Sequence, residues 1–178
     1  SGWKPGARNE NAEFVYGADG SVGVEHTGST SQIYSNEIAI GSFTVTFKTH
    51  NWTSGDTTFG LQSSSQNTEW FTLDGHSGLI FVLTKHVVDN VTQEGSAVLN
   101  LTWHRADNSQ GTQAMLTNVV IPWEDDVYST VSIRKEGDNW VIYVNDLVVT
   151  SAEEMDGFDQ ATFNANMEAA VAEFTKGT

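Results

Sequence analysis

Alternation of apolar and polar residues is the main pattern along this chain. Segments 43–48, 97–104 and 131–134 each place an apolar side chain at every second position. Because successive side chains of a strand point to opposite faces, this period gives each segment one apolar and one polar face. Half-buried strands have this pattern, which is typical of antiparallel sheets with one face on a core.

Turn-forming residues separate these segments at short intervals, as expected when consecutive strands are joined by hairpins. The turn clusters are Gly17–Gly20, Asp74–Gly78, Asp107–Gly111 and Gly137–Asn139. The predicted strands are 13–16, 22–26, 32–40, 43–49, 57–63, 69–74, 79–84, 97–104, 112–121, 127–135 and 140–149. The pattern as a whole predicts an all-β fold, an antiparallel β-sandwich.

The pattern changes after residue 152, where apolar residues recur at helical spacing. A single stripe predicts one short amphipathic helix over about 160–174, with Asp159 or Thr162 as its N-cap. The stripe consists of Phe163, Met167, Ala170, Val171 and Phe174. No Pro-rich or Gly/Ser-rich linker interrupts residues 1–178, so we predict a single sandwich module.

A family resemblance rests mainly on residues 131–147, V-S-I-R-K-E-G-D-N-W-V-I-Y-V-N-D-L. This stretch resembles the penultimate hairpin of concanavalin A-like (laminin G-like) sandwiches, V-x-I-x-x-x-G-x-x-W-x-x-Y-V-N-G. Asp146 replaces the usual glycine of the turn after the Asn. Segments 43–48 and 59–61 similarly resemble early core strands of that superfamily. The resemblance implies a jelly-roll sandwich and a glycan ligand, since lectins, carbohydrate-binding modules, glycoside hydrolases, lyases and adhesins share this fold.

Charge restricts the classes of partner. The chain has 23 acidic and 8 basic side chains, a formal net charge of -15. Such a surface repels phosphate backbones and anionic headgroups, so we expect no nucleic-acid partner and no membrane insertion. There is no cysteine, and no initiator Met precedes the Ser1-Gly2 start. We predict a secreted or cell-surface bacterial module within a larger multimodular protein.

Catalytic motifs are weak in this sequence. Glu154-Met-Asp156-Gly-Phe-Asp159 is the nearest match to the Glu-x-Asp-x-x-Glu triplet of laminarinase-type hydrolases. It departs from that triplet because Asp takes the last position and Gly157 interrupts the strand alternation. No Gly-x-Ser-x-Gly elbow or phosphate-binding loop is present. We therefore expect no enzymatic activity, and a glycoside hydrolase or lyase with a dispersed site is the alternative.

Tryptophans in polar, turn-rich surroundings are the candidates for glycan binding. A sugar presents a C–H face that stacks on an aromatic ring and hydroxyls that pair with polar side chains. Trp52, Trp123 and Trp70 lie in such surroundings and are predicted to be exposed. Trp103 and Trp140 share strand parity with apolar neighbours and are predicted to be core residues.

Polar partners are expected on the outward face of one sheet. Asn100 and His104 alternate with the apolar side chains of their strand, and Gln113 is expected beside them on the next strand. Asp125 and Asp126 offer hard oxygen ligands, so calcium is the candidate cofactor there.

Together these features predict a non-catalytic carbohydrate-binding module that recognises a polysaccharide or oligosaccharide. The alternative outside this class is a structural or adhesive cell-surface sandwich whose ligand is a protein.

Overall fold

The structure is a computed structural model, and it describes twelve strands and one helix. The described residues are 3–5, 12–19, 22–26, 33–35, 42–50, 52, 56–62, 77–107, 111–151 and 153–176. The strands of the first half are β1 Trp3–Pro5, β2 Ala12–Tyr16, β3 Val22–His26, β4 Ile33–Ser35, β5 Phe43–Phe47 and β6 Asp56–Gln62. The second half has β7 Gly78–Val88, β8 Val91–His104, β9 Thr112–Pro122, β10 Ser129–Glu136, β11 Asn139–Val144, β12 Leu147–Val148 and helix α1 Gln160–Lys176.

Two four-stranded sheets form the body of the fold, and every described strand pair is antiparallel. The β8 sheet has the strand order β6-β7-β8-β9, and the β10 sheet has the order β12-β11-β10-β5. The pairs β1–β4 and β2–β3 form two smaller sheets. Strands β6 to β9 are a meander, as expected when hairpins join consecutive strands.

The hydrophobic core lies between the two larger sheets. The β8 sheet contributes alternate residues such as Phe81 and Leu99, and the β10 sheet contributes residues such as Ile133. The ring centroids of Phe43 and Phe81 are 6.2 Å apart, and this contact joins β5 of one sheet to β7 of the other. The predicted antiparallel β-sandwich is therefore confirmed for the described residues, and the alternation pattern correctly indicates which side chains face inward.

Helix α1 packs into the same core, as its apolar stripe predicts. Phe163, Met167 and Ala170 are fully buried there. Asp159 is the N-cap, because the Thr162 backbone N–H donates to its carboxylate at 3.0 Å. The Thr162 hydrogen bonds lower the pKa of the Asp159 carboxyl below its ordinary value. Within the described residues, no helix is long and apolar enough to cross a membrane.

Two hairpins differ from the prediction. Strands β7 and β8 extend beyond the predicted 79–84 and 97–104 to a two-residue turn, Asp89-Asn90, whose φ angles are 50° and 65°. This is the positive-φ geometry that favours Asp and Asn in tight hairpins. The predicted strand 140–149 is divided by a turn in which Asn145 takes φ 53°, so the turn does not need a glycine at Asp146. The predicted strand 69–74 lies outside the described residues.

Candidate functional site

A pocket of about 530 Å³ lies at one end of the sandwich. Its lining consists of Trp52, Lys85, the segment Thr92–Ser96 and the segment Trp123–Asp125. Helix α1 contacts the opposite end of the β7–β8 ladder, where Gly78 pairs with His104. The pocket therefore opens at the end of the sandwich that the helix does not cover.

An irregularity in the β7–β8 ladder forms one wall of the pocket. Lys85 pairs with Ala97 and Val87 pairs with Thr92, so residues 93–96 face a single residue, His86. The extra residues bulge out of the ladder, as bulges commonly do near sites. Gly95 takes φ 77°, and its carbonyl accepts a 3.1 Å hydrogen bond from the Trp123 backbone N–H. This bond fixes the bulged segment beside the chain that leaves β9.

Lys85 is on the core-facing side of its sheet, because its cross-strand partner Ala97 is fully buried. Its ammonium lies 4.9 Å from the centroid of the Trp52 ring and 3.6 Å from Asp125 Oδ2. The lysine side chain is 24% exposed and that of Asp125 is 31% exposed. The pocket thus contains an ammonium group between an indole face and a carboxylate.

A hydrogen-bond chain fixes Asp125 in place. The Thr49 hydroxyl donates to Asp125 Oδ1 at 2.6 Å and accepts the indole N–H of Trp123 at 3.1 Å. The neighbouring Asp126 accepts from His50 Nδ1 at 2.5 Å, and its backbone N–H donates to the Thr49 carbonyl at 2.8 Å. Residues 49–50 and 125–126 are therefore tied together at the rim of the pocket.

Trp123 was predicted to be exposed, and this prediction is wrong. Its side chain is 4% exposed and packs against Phe47, with ring centroids 5.1 Å apart. The reason is strand parity: the inward alternation of Val119 and Ile121 continues through Pro122 to Trp123. Trp123 contributes to the pocket wall but cannot offer a ring face for stacking.

Trp52 fits the prediction better. Its side chain is partly buried, packs against the margin of the core and lines the pocket. The third candidate, Trp70, lies outside the described residues. Trp103 and Trp140 are 7% and 2% exposed, so their prediction as core residues is confirmed.

The predicted group Asn100, His104 and Gln113 does not form on one face. Asn100 and His104 lie on the outward face, as expected from the buried residues that alternate with them. Gln113 pairs with Trp103 and therefore lies on the core-facing side, where its Oε1 accepts a 3.2 Å hydrogen bond from Arg105. Two register shifts between β8 and β9 lie close to this point, and sequence spacing does not reveal them.

Asn100 and His104, the two residues on the outward face, are held within the sheet and do not contribute to the pocket. Asn100 Oδ1 accepts the Asn118 backbone N–H at 2.9 Å, at the register shift. His104 Nδ1 is buried and has no hydrogen-bond partner among the described residues. Burial lowers the pKa of the His104 imidazole below its ordinary value. Neither residue lines the pocket.

The calcium prediction for Asp125 and Asp126 receives no support. Their carboxylates are engaged by Thr49, Lys85 and His50, and a cationic lysine competes with a metal ion for the same oxygens. Within the described part of the chain, no three His, Asp or Glu side chains are grouped closely enough to hold a metal ion.

The triplet Glu154, Asp156 and Asp159 does not lie along one strand. Glu154 and Asp156 lie in exposed turns, and Asp159 caps helix α1. Strand alternation therefore does not bring these three carboxylates onto one face, as a laminarinase-type mechanism would need.

Two carboxylates of α1 contact the opposite end of the sandwich. Glu173 accepts from the Trp103 indole N–H at 2.8 Å, the Ser77 hydroxyl at 2.7 Å and the Ala106 backbone N–H at 3.0 Å. Glu168 accepts the indole N–H of Trp140 at 3.1 Å. These contacts connect the helix to a tryptophan of each sheet.

Lys85 and the bulged segment 92–96 are not among the residues that the sequence predicts for the site. One signal was present: in Leu79, Phe81, Leu83 and Lys85, the lysine takes the last inward position of an apolar alternation. A charged residue at such a position must reach solvent or a partner at the edge of the core. No signal in the sequence indicated the bulge.

No protein-family model, no curated protein and no solved structure matches this chain. The concanavalin A-like resemblance therefore stays a prediction.

Proposed function

We propose that the protein is a non-catalytic, extracellular carbohydrate-binding module whose site is the pocket beside Trp52. The observation that carries the proposal is this indole at the wall of an open pocket, next to polar side chains. Gln93, Ser96 and Asp125 line the same pocket, and their side chains carry amide, hydroxyl and carboxylate groups. A ring for stacking and a polar rim are the two elements that glycan recognition needs.

The pocket suits one or two sugar rings. Its volume of about 530 Å³ lies within the range of small-ligand sites. Its backbone is fixed by the Trp123–Gly95 hydrogen bond and by the Thr49–Asp125 contact, so little ordering accompanies binding. Preorganisation of this kind keeps the entropic cost of association low.

Calorimetry against a panel of plant and microbial oligosaccharides tests this function. Trp52→Ala is expected to weaken binding about ten- to hundredfold, because burial of an aromatic surface contributes about 1.5–3 kcal/mol. Tyr128→Ala is the matched control. Tyr128 is exposed and lies under the Lys48 ammonium at 5.1 Å, which reproduces the Lys85–Trp52 pair outside the pocket. Binding that is lost equally in both variants, or no binding to any glycan, would overturn the proposal.

A protein ligand is the second candidate, favoured by the tip of the β7–β8 hairpin. Val87, Val88 and Val91 are 51%, 46% and 60% exposed beside the Asp89-Asn90 turn. Exposed apolar side chains in a group are characteristic of contact surfaces. Replacement of the three valines by threonine is expected to leave glycan affinity within twofold. A large loss of glycan affinity in this variant would move the site from the pocket to the hairpin tip.

A further inference from the structure

The charges of the pocket bear on the class of glycan, and the inference that follows rests on the proposed function. Glu94, Glu124 and Asp125 line the pocket against one cation, Lys85. Three carboxylates and one ammonium leave the site with an excess of two negative charges, within a chain whose formal net charge is -15. An anionic glycan, such as a polyuronate, would be repelled both at a distance and at contact.

The protein itself places an ammonium group in this site. Lys85 Nζ is 4.9 Å from the Trp52 ring centroid and 3.6 Å from Asp125 Oδ2. An indole face and a carboxylate both attract an ammonium ion. The position of Lys85 thus marks where a cation is stabilised within the pocket. This observation is separate from the count of acidic residues in the lining.

The opposite end of the sandwich has similar pairs of a cation and a tryptophan, but there the tryptophan rings are buried. Lys135 lies 5.4 Å from the Trp140 ring centroid and pairs with Glu168 of α1. Arg105 lies 5.0 Å from the Trp103 centroid, beside Glu173 on the same indole. At those sites helix α1 supplies the carboxylate that each indole N–H contacts, whereas Trp52 lines the open pocket.

We propose that the pocket binds glycans that carry free amino groups, with a sugar ammonium among Asp125, Glu94 and Glu124 and the sugar ring against Trp52. The ligand ammonium competes with Lys85 for the same region. The N-acetylated form of the same sugar lacks the charge and gains only the stacking and hydrogen-bond contacts. The site is therefore selective for the de-N-acetylated form over both the acetylated and the uronic acid forms.

The experiment compares three oligosaccharides of equal length by calorimetry on the full chain: a glucosamine oligomer, its N-acetylated counterpart and a galacturonate oligomer. The glucosamine oligomer is expected to bind at least tenfold more tightly than the acetylated one. Added salt should reduce this preference, because exposed charges are screened. Equal affinity for the glucosamine and acetylated oligomers would overturn the inference and leave the proposed function intact. Absence of binding to every oligosaccharide would overturn both.

Charge variants separate the pocket from the acidic surface as a whole. Glu94→Gln with Glu124→Gln is expected to weaken glucosamine binding about five- to tenfold and so to reduce the preference for the glucosamine oligomer over the acetylated one. Asp138→Asn with Asp146→Asn is the matched control, since both residues are exposed in hairpin turns outside the pocket. An equal loss in the control pair would mean that the amino glycan binds through overall charge, contrary to the inference.

Two further measurements complete the test. Lys85→Met keeps most of the aliphatic stem but removes the competing ammonium, and we expect glucosamine affinity to rise about threefold or more. A fall in that affinity would contradict competition between the two ammonium groups. A tetralysine peptide carries the same type of charge without a sugar ring and should bind at least tenfold more weakly than the glucosamine oligomer. Equal or tighter binding of the peptide would assign the site to a cationic protein segment instead.

Discussion

The two ends of the sandwich contain the same side-chain chemistry in different surroundings. At the helix end, Arg105 and Lys135 lie over Trp103 and Trp140, and both indole N–H groups donate to carboxylates of α1. At the pocket end, Lys85 lies over Trp52. No described helix covers that indole, and a pocket of about 530 Å³ opens beside it.

This comparison shows that tryptophan, cation and carboxylate do not define a binding site by themselves. At the helix end both indole rings are buried and their N–H groups donate to α1, so these tryptophans contribute to stability. At the pocket end the indole N–H of Trp123 is also directed inward, to Thr49, while Trp52 remains at the pocket wall. Substitutions at the two ends should therefore separate stability from binding.

The largest effect is expected from the apolar contact of the helix. Met167 lies on α1 and is fully buried in the core. Met167→Ala should therefore reduce the free energy of unfolding by about 3 kcal/mol, measured by urea denaturation. Asn166→Ala, one position earlier on the same helix, should cost less than about 0.5 kcal/mol. Near-equal losses would mean that α1 contributes little to the core.

A matched pair of carboxylate deletions compares the ends directly. Glu173→Ala removes the acceptor of three hydrogen bonds and leaves the Trp103 indole N–H only its longer bond of 3.2 Å to the Ser77 hydroxyl, so it should cost about 2–3 kcal/mol. Asp125→Ala should cost about 1 kcal/mol, because its ion pair with Lys85 is partly exposed and screened by solvent. Urea denaturation of both variants measures the difference. A cost for Asp125→Ala as large as that for Glu173→Ala would contradict the distinction between the two ends.

The smallest effect is expected on the pH dependence of stability, through His104 on the outward face of β8. Burial lowers the pKa of His104 below 6.5, so the unfolded chain binds its proton more readily than the folded chain. Stability should then decrease as the pH falls from 6.5 towards the folded-state pKa. Denaturation at several pH values should show this decrease, and His104→Gln should reduce it. An unchanged pH dependence in His104→Gln would show that His104 does not cause it.

Local patterns predicted most of the architecture correctly. The alternation along 97–104, the turn at Gly137 and the stripe from Phe163 to Ala170 each correspond to an element of the structure. These features depend on the period of side-chain directions and on turn conformations, which neighbouring residues specify. The parity of residues 119, 121 and 123 would also have predicted a buried Trp123.

The site depended on the arrangement of distant segments. Lys85, Trp52 and Asp125 are separated in sequence, and they meet because residues 93–96 bulge out of the β8 ladder and residues 125–126 are tied to 49–50. The face on which Gln113 lies likewise followed from register shifts between β8 and β9. The sequence by itself determined the strands, the helix and their inward faces, because side-chain period is a local property. Only the tertiary structure decided that Trp52 stays partly exposed at the pocket while Trp123 and the other core tryptophans are buried, because strand register and helix docking determine what covers each ring.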